Sequence, residues 1–228
     1  MESERVMKYV VVDLEMNWLA SKYKIEREFC EREIIEIGAV VLDEKFQEID
    51  KFKTYVKPQF NDVISKSITN LTKITTEMVK DAPVFEEAIK MFFDWCNKQE
   101  DDLQFIQWSE SDLIQVVREL TLKHIELDES ATILLKEWYD LQKECGSKLN
   151  LENSVSLKNA VMYAGLEFEG KEHDALDDAR MTAVLMKILR IPELFKNALE
   201  KVKEALTPKE IGTSLGDLFD FSALAISA

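Results

Sequence analysis

Asp13 and Glu15 are the residues of this chain whose placement asks most strongly for chemistry. They close a short apolar run, Tyr9-Val10-Val11-Val12, with the composition of a buried strand. Side chains alternate across a strand, so the two acids share one face while Val12 and Leu14 take the other. Two carboxylates side by side at the end of a buried strand repel each other and lose solvation. A cation or a proton between them relieves that cost. Taken alone, Asp-x-Glu reads as a strand running out into a polar turn, and the case for chemistry depends on partners elsewhere.

Two further places offer partners. Asp112 follows a strand-like segment, residues 103–108, within Ser109-Glu110-Ser111-Asp112. By itself it reads as the side-chain cap of a helix over residues 113–120. His173 and Asp178 lie in Gly170-Lys171-Glu172-His173-Asp174-Ala175-Leu176-Asp177-Asp178-Ala179-Arg180. This segment runs into a helix that continues through Leu189, with His173 at or just before its start and Asp178 about a turn inside. A lone histidine in such a loop reads as plain surface.

The elements that must position these side chains follow from the pattern. A first strand spans residues 9–15, and a polar loop 21–32 leads to a second strand over 33–43. A third spans 49–56, closed by Pro58, and short links make the three an antiparallel meander. Gly38 inside a strand marks a bulge or a close backbone approach. Two short helical turns with hydroxyl caps cover 67–72 and 75–79. An amphipathic helix then follows Pro83, with Phe85, Ala88, Ile89, Phe92, Phe93 and Cys96 inward as core. After an apolar-punctuated stretch (Ile133, Leu134, Trp138, Leu141) come a polar loop around Gly146 and a helix over 156–164 that Gly165 ends. Pro192 breaks the long helix, and a Lys/Glu-rich helix over 193–206 precedes a tail.

Composition bounds the function. The 228 residues, 46% hydrophobic, suit one α/β domain with an appendage. No apolar run reaches the roughly 20 residues of a membrane span, and the N-terminus lacks a signal-peptide pattern. Cys30, Cys96 and Cys145 lie far apart without metal or redox spacing, and an odd count suits reduced thiols in the cytoplasm. A net charge of −15 argues against a long electrostatic footprint on nucleic acid but not against a short, metal-dominated contact.

Taken together and in order, Asp13-x-Glu15, Asp112 and His173-x-Ala175-x-x-Asp178-Ala179 resemble the DEDD exonuclease superfamily, in its histidine-containing branch. Ile34-Ile35-Glu36-Ile37-Gly38-Ala39-Val40 is similar to the family as well. So are Leu71-Thr72-x-Ile74-Thr75-x-x-Met78-Val79-x-x-Ala82-Pro83-x-Phe85 and Gly165-Leu166-x-Phe168-x-Gly170. The resemblance covers residues 8–189 and implies a ribonuclease-H-like α/β fold, a central mixed five-stranded sheet flanked by helices. Residues 1–190 form the exonuclease domain on this reading, and 191–228 a C-terminal helical extension and tail. Proofreading exonucleases carry Thr-Gly after the first acids, whereas this chain has Met16-Asn17-Trp18. That departure is more similar to small RNA-trimming exonucleases and to the bacterial sporulation-kinase-inhibitor type.

The resemblance implies a metal-dependent 3′→5′ exonuclease that releases 5′-mononucleotides from single-stranded RNA or DNA 3′ ends. Two divalent ions about 3.5–4 Å apart stabilise the attacking water, the leaving oxygen and the phosphate charge. Hard oxygen donors suit Mg²⁺ or Mn²⁺. Asp13 would bridge both ions, Glu15 and Asp178 would hold the nucleophile-side ion, and Asp112 would complete the other shell. His173 would be the general base, and Met16, Asn17 and Trp18 would meet the terminal nucleotide. Two other classes share the fold: a regulatory or partner-binding protein that needs no catalysis, and a polymerase-associated proofreading subunit. Leu218-Phe219, amid acidic residues of the tail, is a candidate docking motif for a protein partner.

Overall fold

In a computed structural model, residues 6–99 and 101–206 are described; the tail with Leu218 and Phe219 lies outside them. In chain order the elements are β1 (Met7–Trp18), α1 (Lys24–Phe29), β2 (Arg32–Leu42), β3 (Glu48–Tyr55), α2 (Lys66–Thr72) and α3 (Thr76–Val79). There follow α4 (Phe85–Asn97), β4 (Asp102–Gln107), α5 (Ser111–Leu122), α6 (Glu129–Leu134), β5 (Trp138–Asp140) and α7 (Leu141–Leu149). Last come α8 (Leu157–Tyr163), α9 (Ala175–Arg190) and α10 (Pro192–Leu206).

The strands form one mixed sheet in the order β3-β2-β1-β4-β5. The first three make the expected antiparallel meander, and β4 and β5 add in parallel to the other edge of β1. β1 is thus central, and its alternation feeds two cores. Val10, Val12 and Leu14 pack with Phe85, Ile89 and Phe92 of α4. Val11 on the opposite face packs with α9 through Leu176, Leu185 and Met186. The odd-numbered face carrying Asp13 and Glu15 is therefore the face that α9 covers. α10 extends the second core through Phe195 and the buried Ala198.

Several local expectations are corrected. Segment 21–32 contains α1, whose Lys, Glu and Arg residues favour helix but which buries no residue, so it lacks an apolar stripe to announce it. Gly146 lies inside α7 rather than in a loop, between the Asp140 cap and left-handed Asn150. β5 is three residues long, too short for any periodicity to mark it. The bulge falls between Glu15 and Met16, where β2 inserts Ile35 and turns it toward α2 and α3. Of the two readings of Gly38, the close approach is the one the structure bears out: a Cβ there would lie 2.2 Å from the carbonyl carbon of Ala175. Only glycine lets the first turn of α9 rest directly on β2.

Candidate active site

The carboxylates arrive from three elements. Asp13 and Glu15 come from β1, Asp112 from the first turn of α5, and Asp178 from the first turn of α9. All four line one cleft of about 350 Å³ together with His173. Asp112 does not cap its helix: α5 begins at Ser111 after Glu110, which makes no side-chain cap bond, and Asp112 is buried within the first turn. Its carboxylate is thereby left to the cleft.

The start of α9 is fixed by a network from the sheet. Glu36, buried on β2, accepts the Ala175 N–H at 2.9 Å. Lys53 of β3 lies 3.1 Å from Glu36 and donates to the Asp174 carboxylate at 2.6 Å. Asp174 in turn caps α9 by accepting from the Asp177 N–H. His173, immediately before that cap, adopts the left-handed conformation with φ 63°, uncommon for a residue with a side chain. Its backbone N–H donates to Asp178 Oδ2 at 3.2 Å, and its Nδ1 is 3.8 Å from Glu15 Oε1. Single ligand atoms of Glu15, His173 and Asp178 lie within 4.8 Å of one another.

Electrostatically the cleft is short of positive charge: four carboxylates line it against the single guanidinium of Arg32. Burial, then repulsion from Asp112, Asp178 and Glu15, holds the Asp13 carboxyl well above the usual carboxylate range. Burial followed by Asp178 pushes Glu15 up to about 8. Asp112 rises to about 8, burial outweighing the opposing pull of Arg32. Asp178 rises to about 7, again first by burial, with the His173 N–H opposing. Asp178 Oδ1 is buried without a hydrogen-bond partner. An all-oxygen cluster, starved of charge and with one acceptor unmet, fits a hard divalent cation.

Of the three residues expected to meet a terminal nucleotide, Met16 and Trp18 line the cleft and Asn17 does not. Asn17 is fully buried, accepting the Ser65 N–H at 3.1 Å and donating to the Val63 carbonyl at 3.4 Å. It ties the end of β1 to the loop before α2, because β1 continues through Trp18 instead of opening into a turn. Arg32, Ile68 and Leu71 also line the cleft, though they were not singled out from sequence. Arg32 pairs with Trp18 across the bulged strands, its guanidinium 4.7 Å from the centre of the indole. The mixed Lys/Arg/Glu content of 21–32 was its only trace in sequence.

A mixed five-stranded sheet with acids at the end of its central strand and on two covering helices is the frame of a ribonuclease-H-like exonuclease. The family model RNase_T, described as exonuclease, matches residues 10–186, a span that holds all five cleft residues. The chain belongs to this exonuclease family, within the DEDD superfamily. It is 30% identical over 180 residues to ERI1 exoribonuclease 2 of Danio rerio, covering 70% of this chain and 32% of that protein. It is also 30% identical over 214 residues to the PolC-type DNA polymerase III of Clostridium perfringens, covering 90% of this chain and 12% of that protein. The chain spans about a third of the length of the ERI1-type curated relatives it matches. Its fold matches the nuclease domain of 3′hExo, a DEDDh family member bound to rAMP, with TM-score 0.70 at 22% identity, over 88% of this chain and 96% of that one.

Proposed function

We propose that the chain is a metal-dependent 3′→5′ exonuclease that removes 5′-mononucleotides from single-stranded ends. The observation that carries this reading is the convergence of four carboxylates and one histidine in a cleft without enough protein cations to balance them. Asp13, Glu15, Asp112 and Asp178 would hold two Mg²⁺ or Mn²⁺ ions. Such ions stabilise charge on the phosphate and leaving oxygen and favour ionisation of a bound water. His173 would take a proton from an attacking water, and its imidazole already faces Glu15 across the cleft. Trp18, 44% exposed at the rim, offers its ring to the terminal base, and Met16 lines the wall beside it.

A cleft formed by one strand end and two helix starts takes an unpaired terminus more readily than a duplex. The polymer is RNA or DNA; the relatives include an exoribonuclease and a polymerase. A reducing, cytoplasmic setting is supported by three buried free thiols, and among the described residues no helix is long and apolar enough to cross a membrane. A 1–190 catalytic unit with a C-terminal helical extension and tail over 191–228 is part of this reading, as is tail docking to a protein partner. The test is incubation with 3′- and 5′-labelled single-stranded RNA and DNA in Mg²⁺ and in Mn²⁺. The expected products are 5′-mononucleotides and a ladder shortening from the 3′ end. Cutting circular strands as fast as linear ones would refute exonuclease action.

A further inference from the structure

Positive charge is scarce on this chain, and its arginines are not spread evenly. Five arginines lie among the described residues: Arg27, Arg32, Arg118, Arg180 and Arg190. Arg180 pairs with Glu48 and Asp177, and Arg190 with Glu144. Among the described residues, no carboxylate lies within ion-pair distance of Arg27, Arg32 or Arg118. These three are gathered along one path. Arg32 lines the cleft, stacked on Trp18. Its neighbour Glu31 lines a second groove of about 590 Å³, shared with Lys24, Arg27, Glu28, Phe29 and Arg118, so three cations there outnumber two carboxylates.

α5 joins the two depressions. Its first turn, Ser111 and Asp112, borders the cleft, and Arg118 borders the groove. Seven residues of helix separate Ser111 from Arg118, about 10 Å. α1, which buries nothing and leaves Ile25 81% and Phe29 48% exposed, forms the other bank. Arg27 keeps a buried Nε with no hydrogen-bond partner, a donor awaiting an acceptor.

We propose that Arg27 and Arg118, with Arg32 and Trp18 at the threshold, form a track for the phosphodiester backbone upstream of the terminal nucleotide. Guanidinium forks match phosphate oxygens, and exposed aromatic faces between cations suit single-strand bases. The acidic remainder of the surface repels the rest of the polymer, so the strand is confined to this path. The track rests on the exonuclease reading for its direction, from the 3′ end outward. Its chemistry is common to RNA and DNA.

The test compares the full-length parent with Arg27→Ala/Arg118→Ala and with the charge-keeping Arg27→Lys/Arg118→Lys. Binding is read by fluorescence anisotropy in Ca²⁺, with 5′-labelled single-stranded RNA and DNA of about 12 nucleotides. Turnover is read in Mn²⁺ on the same strands and on a dinucleotide. The alanine variant should bind the long strands about tenfold more weakly. Its salt dependence should fall by about 0.7 in log–log slope per lost phosphate contact. The lysine variant should recover most of the loss, and dinucleotide turnover should stay parental. Equal losses on RNA and DNA support a backbone track; a loss on RNA alone would overturn the shared chemistry. Parental affinity and salt slope in the alanine variant would overturn the track, as would an equal loss on the dinucleotide. A parent that cuts nothing, yet binds strands through these arginines, would remove the exonuclease reading and leave the track standing.

Discussion

Two clusters of buried acids in this molecule are treated in opposite ways. Behind the sheet, Glu33 and Glu119 are both fully buried, and Lys123 lies between them at 3.0 and 2.7 Å. Glu33 also accepts backbone N–H groups of Gln59, Phe60 and Asn61, and Glu119 accepts the Ile34 backbone N–H and the Gln115 side-chain amide N–H. Burial still lifts the Glu119 carboxyl, with Lys123 opposing. In the cleft, four carboxylates converge with Arg32 and His173 as the nearby nitrogen bases, and Asp178 keeps an orphaned oxygen. One cluster contains its own counter-charge; the other must receive it from outside. The first holds structure together, and the second is where a ligand carrying positive charge is needed.

The sharpest way to break that contrast is Asp13→Asn. Hydrolysis should fall by about 10³-fold or more, since the group removed is one of the four carboxylates that would hold the divalent ions. The metal-free variant should melt at a higher temperature than the metal-free parent, because one of four repelling acids is gone. The parent's own pH dependence follows from the same charges. Glu15 and Asp112 titrate at about 8 and Asp178 at about 7, all above their ordinary values. The folded state therefore holds more protons than the unfolded one between the ordinary carboxylate range and about pH 8. Without divalent cation, stability should decline as pH rises through that window. Saturating Mn²⁺ should flatten or reverse the decline in a thermal melt, whereas a cation-independent curve would sink the view of the cleft as an unmet charge.

His173→Ala comes next in size. The rate should drop by about 10²–10⁴-fold, and the pH–rate profile should change with it. Metal-induced stabilisation should survive, because all four acids remain; a parental rate with an unchanged profile would remove the base from the mechanism. Lys123→Ala probes the self-sufficient cluster. It strands two buried carboxylates and should cost about 3–5 kcal/mol in denaturant unfolding. Protein that stays folded should keep the parental pH–rate profile, which separates the two clusters by readout as well as by place.

The site acids were legible in sequence because each carries a local signature: a strand phase for Asp13 and Glu15, and a helix start for Asp112 and Asp178. The family resemblance supplied the order that joins them. Features formed between distant segments had no such signature. Lys53 and Asp174 stand 121 residues apart in sequence yet share a hydrogen bond that sets the first turn of α9. Asn17 sits beside the cleft acids in sequence, but a bulge between Glu15 and Met16 and the continued pairing of β1 turn it into the interior. α1 has no apolar stripe and β5 no room for one, so periodicity could reveal neither.

The smallest expected effects come from two glycines, and they ask whether the close approach of α9 sets the site. At Gly38 an added Cβ would meet Ala175 C, Leu176 N and Ala175 O at 2.2, 2.3 and 2.5 Å. All three are backbone atoms, so no side-chain rotation relieves the clash, and the start of α9 must move. Glu36, two residues earlier on β2, holds that turn through the Ala175 N–H and Lys53. Displacement therefore loosens the turn that carries His173 and Asp178. Gly38→Ala should cost about 1–3 kcal/mol by overpacking. A misplacement near 1 Å should lower turnover by up to about 10²-fold. Gly146, inside α7, has nothing within 4 Å of its would-be Cβ and no left-handed φ. Gly146→Ala should leave turnover unchanged and stabilise by about 0.4–1 kcal/mol through the unfolded chain. If Gly38→Ala kept parental turnover like Gly146→Ala, the contact of α9 with β2 would be packing alone, and the position of His173 and Asp178 would have to be set by the Glu36–Lys53–Asp174 network without it.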